Sequence, residues 1–155
     1  MRLALPVLAV AIVCFAAAPV AKVSSSGDFR LRGATVRTAG VPSWPVMAGD
    51  EIATGAHPAI ISFRDGSRLT LGRASRARLA SENGALSFRL LDGVLDYRLA
   101  SRSALRVFNQ STPLNDPNGI AATSPMSPNQ IQSQLNPTPA PTTEAIKLPK
   151  ISRGR

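Results

Sequence analysis

The sequence predicts a small all-β domain set between an N-terminal apolar segment and a polar, proline-rich tail. Three observations carry this reading. Apolar and polar residues alternate along successive short runs between residues 24 and 108, the period-two pattern of strands with one buried face. Asp65-Gly66, Asn83-Gly84 and Asp92-Gly93 separate those runs, and such dipeptides suit the left-handed dihedrals of tight hairpins. Outside the N-terminal segment no run has the 3.6-residue apolar period of a helix.

Residues 1–23 read as a targeting segment. Arg2 is a short positive region, Leu3 to Val13 is almost unbroken apolar sequence, and the small residues Ala16, Ala17 and Ala18 follow, as a signal peptidase requires near its cut. Pro19 makes the cleavage point unclean. Lipidation at Cys14 is disfavoured because Val13, not a small residue, precedes it. The alternative is an uncleaved anchor over residues 3–21, just long enough to span a bilayer but weakened by Pro6 and Pro19. Either reading exports the remainder to the periplasm or beyond. Cys14 is the only cysteine, so the exported part has no disulfide and no thiol ligand or nucleophile.

Within residues 24–108, Phe29 and Leu31, with Ala34 and Val36, suggest an opening strand. Gly40 to Pro45 is expected to be a loop, with Trp44 between Pro42 and Pro45, and Gly49-Asp50 leads into a short strand through Ile52 to Thr54-Gly55. Ala59, Ile61 and Phe63 then share one face, followed by Leu69 and Leu71, Ala77 and Leu79, Leu86, Phe88 and Leu90, Leu95, Tyr97 and Leu99, and a last strand from Leu105 to Phe108. The tail, 109–155, holds eight of the thirteen prolines and no aromatic residue. It has too little apolar surface to offset its ordering entropy and is expected to be disordered. Its basic end, from Lys147 to Arg155, reads as a solvated terminus.

The run GDEIATG (Gly49 to Gly55), the turn-and-strand FRDGSRLTLG (Phe63 to Gly72) and LSFRLLDGVLDYRL (Leu86 to Leu99) resemble, in order and spacing, motifs of the FecR domain family over roughly Gly27 to Leu105. The resemblance implies an antiparallel β-sandwich of jelly-roll type in the periplasm. It also implies a place in a transmembrane signalling system that controls a sigma factor. That relay needs a cytoplasmic segment, and only Met1 and Arg2 precede the apolar run, so this chain is not expected to perform it alone. An accessory role in such a system is the alternative to a free-standing binding module.

No catalytic constellation is expected. His57, the one histidine, precedes Pro58 at a strand start and reads as a polar loop residue. No His, Cys and carboxylate grouping has metal-ligand spacing, no glycine loop opens a helix to cradle phosphate, and Asp65 and Asp92 belong to turns, where each is expected to bond to its own backbone. No cofactor is expected. The 18 Lys and Arg against 9 Asp and Glu, a net +9, favour an anionic partner. The expected partner is an envelope protein or an anionic envelope polymer, met through Arg73, Arg76 and Arg78 and through Trp44 if its ring is exposed; the preferred reading of Trp44 is a cap on one open end of the sandwich. Nucleic acid is not expected, because Phe63, Phe88 and Tyr97 fall on the core face rather than among the arginines. Membrane contact is expected only through the N-terminal segment. Arginines on exposed strands also have a simpler use, since charge discourages edge-to-edge pairing.

Overall fold

The computed structural model describes residues 18–136; the expected signal segment up to residue 17 and the tail from 137 onward lie outside the described residues. The chain forms β1 (Ala21–Ser25), β2 (Phe29–Leu31), β3 (Ala34–Val36), β4 (Trp44–Val46), β5 (Glu51–Thr54), β6 (Ala59–Phe63) and β7 (Arg68–Leu71). There follow β8 (Arg76–Glu82), β9 (Ala85–Asp92), β10 (Val94–Arg98), β11 (Arg106–Asn109), β12 (Thr112–Leu114), β13 (Asn118–Ala122) and the helix α1 (Pro128–Leu135). One sheet, A, has the strand order β13-β10-β7-β6-β1-β4, and the other, B, has the order β12-β11-β9-β8-β5-β2-β3. The all-β expectation is met, with two sheets closed over one core.

That core follows from the alternation. Val23, Ile61, Leu69, Leu71 and Leu95 from sheet A meet Phe29, Ile52, Leu79, Phe88 and Leu90 from sheet B in one buried cluster. Phe63 and Phe88 cross between the sheets edge to face, with ring centroids 6.5 Å apart. Intervening residues such as Lys22, Ser62, Arg68, Arg78 and Arg98 are exposed.

Turn chemistry explains two of the three hairpin signals. Asn83 and Gly84 both take positive φ, at 52° and 79°, and close the β8–β9 hairpin as a type I′ turn does. Gly66, at φ 92°, ends the β6–β7 turn, where the Asp65 carboxylate accepts the Ser67 N–H at 2.8 Å. Asp92-Gly93 does something else. β9 lies in sheet B and β10 in sheet A, so this dipeptide carries the chain from one sheet to the other. A Cβ on Gly93 would stand 2.0 Å from Ser75 Oγ, and a hairpin glycine faces no such crowding.

Several expectations are corrected. The boundary at residue 23 falls inside β1, whose Ala21 and Val23 are buried between β4 and β6. Trp44 lies on a strand rather than in a loop: β4 is the edge of sheet A, where the missing N–H of Pro45 costs no inner ladder bond. The sandwich is not wholly antiparallel, because β11 pairs with β9 in parallel. The chain leaves β9 for sheet A along β10 and returns to sheet B beside β9, so the two strands run the same way. The disordered tail does not begin at 109. β12 pairs with β11, β13 pairs with β10, and α1 follows. Ser127 caps α1 with a reciprocal box, its hydroxyl accepting the Gln130 N–H while the Gln130 side chain accepts the Ser127 N–H. These pairings supply the ordering free energy that the segment's composition does not suggest.

Leu90 is fully buried. Leu90→Ala is expected to lower stability by about 2–5 kcal/mol in urea titration. Gly93→Ala should destabilise well beyond Gly84→Ala. Both positions have left-handed backbone, but a Cβ at Gly84 meets nothing within 4 Å. Equal midpoints for the two glycine variants would refute the crowded crossing.

Candidate functional site

The polar side chains divide into those that build the corners and those that face solvent. Asp50 is a corner residue. It is 5% exposed, accepts the Met47 N–H at 2.8 Å, and takes two hydrogen bonds from the Arg32 guanidinium at 2.6 and 3.1 Å. The fork ties the β2–β3 turn to the entry of β5 and raises the Arg32 pKa, first by hydrogen bonding and then by charge. Thr54 and Ser75 form a second corner. Thr54 Oγ1 accepts the Ser75 N–H at 2.9 Å, and Ser75 Oγ accepts the Val94 N–H at 3.0 Å while donating to the Arg73 carbonyl.

A third knot joins the β6–β7 turn to the loop before β11. Ser67 Oγ accepts the Ala100 N–H and donates to Ser103 Oγ, and Ser103 Oγ donates to Asp65. Burial alone would raise the Asp65 pKa. The hydrogen bonds from Ser103 and Ser67 outweigh it and hold the carboxyl below its ordinary 3.8. Asp92 does not bond to its own turn as expected of it. Its carboxylate accepts from Thr123 Oγ1 and fastens the end of β13.

The four residues expected to meet a partner do not share a surface. Trp44 packs against the core from the edge of sheet A, and its indole Nε1 is buried without a hydrogen-bond partner. Arg73 is engaged by the chain itself: its N–H donates to the Gln134 carbonyl and its guanidinium to the Asn136 carbonyl, holding the end of α1. Arg76 and Arg78 project from the outer face of sheet B, where Glu51 sits opposite Arg78 and lies 3.8 Å from Arg76. His57 is half-buried, with Nδ1 3.3 Å from Ser26 Oγ, and packs over Gly27. Among the described residues, no group of three His, Cys, Asp or Glu is placed to hold a metal, and no helix is long and apolar enough to cross a membrane.

The surface that the sequence did not single out is the outer face of sheet A. Strand register places Asn118, Arg98, Arg68, Ser62, Lys22 and Pro45 in one transverse row, one residue per strand from β13 to β4. Only the pairing register brings Lys22, Arg68 and Arg98 into line; along the chain they are far apart. Two hollows lie along the row. One, of about 530 Å³, is bordered by Lys22, Pro45, Ser62 and Arg64. The other, of about 240 Å³, is bordered by Arg68, Thr70, Asp96 and Arg98. Guanidinium groups along such a trough can accept a row of carboxylate or phosphate groups in bidentate hydrogen bonds.

No family model, no curated protein and no solved structure matches this chain.

Because the folded pKa of Asp65 is depressed, its contribution is present above its ordinary value and is lost as pH falls through and below about 4. Ser103→Ala removes one of the responsible hydrogen bonds. The stability gap between the parent and this variant should be greatest near neutral pH and close as the pH approaches about 2. A gap that stays constant over that range would show that the hydrogen bond to Asp65 does not set its pKa.

Proposed function

We propose that this chain is a non-catalytic, exported cell-envelope protein whose β-sandwich is a binding module for an anionic partner. The observation that carries the reading is the distribution of cations. Both outer sheet faces bear arginines, with Arg30, Arg76, Arg78 and Arg89 on sheet B and Arg68 and Arg98, beside Lys22, on sheet A, while the polar corners are consumed in holding the backbone. A broad face of this kind recognises an extended charged surface better than a small molecule, which needs an enclosed pocket.

The export reading rests on Arg2, the apolar run from Leu3 and the small residues Ala16 to Ala18. It places the module in the periplasm or outside the cell, free after cleavage or held at the membrane by residues 3–21. A FecR-like domain of jelly-roll type is the family reading we favour. It is supported by the three motifs and by a chain that passes repeatedly between two sheets in hairpin units, β2–β3, β6–β7, β8–β9 and β11–β12.

Immobilised protein should retain a component of an envelope extract at low ionic strength. It should release that component as salt rises toward about 1 M, where the screening length falls to about 3 Å. An extract from which nothing is retained at low salt would defeat the proposal, and a retained component indifferent to salt would defeat its electrostatic basis.

A further inference from the structure

The two sheets treat opposed arginines differently. In sheet B, Arg78 and Arg89 face each other across β8 and β9, an arrangement that is ordinarily unfavourable. There Arg89 is engaged: it lies over the Phe108 ring at 5.2 Å from its centroid and donates to the Gln110 carbonyl, and Glu51, opposite Arg78 in register, pairs with the neighbouring Arg76 at 3.8 Å. In sheet A, Arg68 and Arg98 are likewise opposite each other, and both are exposed. Among the described residues the ion pairs within 4.0 Å are Arg32–Asp50 and Arg76–Glu51. Asp96, one row away, therefore pairs with neither Arg68 nor Arg98.

Edge protection does not account for the pair. β7 and β10 are interior strands of sheet A, whose edges are β13 and β4, so charge at Arg68 and Arg98 guards no exposed edge. The row continues through Ser62 on β6 to Lys22 on β1, both also interior strands. With neighbouring strands about 4.8 Å apart, Lys22 and Arg98 stand roughly 14 Å from one another. The row they define runs across the strands, with one hollow at its Lys22 end and another beside Arg68 and Arg98.

We infer that this row binds a linear acidic polysaccharide with one carboxylate on each sugar ring, a polyuronate, laid across the strands of sheet A. The polymer's charges recur at about the spacing of successive strands, and Arg68, Arg98 and Lys22 each meet one carboxylate. Ser62 and Asn118, in the same row, supply hydroxyl and amide groups suited to the sugar hydroxyls. Beyond the cationic row, Leu135 of α1 borders a further hollow with Ser24, Ile60 and Thr70. This inference rests on the anionic-partner reading above and names its ligand and its site.

The test is titration of the full chain with polygalacturonate, with neutral dextran, duplex DNA and vesicles of anionic lipid as the other arms. Polygalacturonate should bind at low salt and dextran should not. The paired variant R68Q/R98Q should weaken polygalacturonate binding at least about tenfold, since each change removes a charge-assisted contact. R37Q/R106Q, two exposed arginines outside sheet A, should change it by no more than about twofold, the effect of altered net charge alone. Melting temperature provides the folding control, and R68Q/R98Q should melt no lower than the parent, because it relieves an uncompensated like-charge pair. Equal losses in the two paired variants would overturn the site while leaving an anionic partner in place. DNA or vesicles bound more tightly than polygalacturonate would overturn the polymer class. No binding in any arm, together with an empty envelope capture, would overturn the broader reading as well.

Discussion

The fold depends on the chain crossing between its two sheets without stranding backbone polar groups in the core. Two crossings meet at one end of the sandwich. The first runs from Gly72 to Ser75 between β7 and β8, and the second is Asp92-Gly93 between β9 and β10. Two hydroxyls close them. Thr54 and Ser75 are buried, and between them they satisfy the Ser75 and Val94 N–H groups and bond to carbonyls of the first crossing. An unmet buried N–H costs more than an ordinary hydrogen bond contributes, so each hydroxyl is held to one position. Gly93 is the counterpart, because only a residue without Cβ lets the second crossing lie against Ser75.

The corners explain why the fold was legible in the sequence. Alternation marked which face of each strand is buried, and the core residues it marked from Ile61 to Tyr97 lie in the buried cluster, except Leu86, which is partly buried against it. The motif GDEIATG contains Asp50 and Thr54, the acceptors of two corners, and FRDGSRLTLG contains Asp65 and Ser67 of the third. These residues were visible because turns require particular residue types. Asp92-Gly93 is visible for the same reason but reads as a hairpin, since the dipeptide reports local dihedrals and not which sheet receives the next strand.

What escaped the sequence depended on long-range pairing. β13 has the weak pattern NGIAA, and Gly119 packs closely there, since a Cβ would stand 2.8 Å from the hydroxyl of Tyr97, a neighbour on another strand. The Ser127 to Gln130 capping box could have been read from spacing, but the surrounding prolines and amides weighed toward disorder. The cationic row lay furthest out of reach. Lys22, Arg68 and Arg98 have no sequence relation, and a one-residue slip of register would turn Arg68 or Arg98 to the other face.

The two ends of the described chain have a mechanical consequence. Ala18 lies beside Arg64, Asp65 and Arg102 at one end of the sandwich. Asn136 is held by Arg73 at the other end, where the chain crosses between the sheets. The module is therefore wired in series between whatever its two termini are joined to. A pull on the N-terminal side is transmitted directly to β1, which is laced to β6 along one side and to β4 along the other. Such a load falls on those hydrogen bonds together, in shear, rather than opening them one after another, and a domain strung that way resists tension better than its modest size suggests.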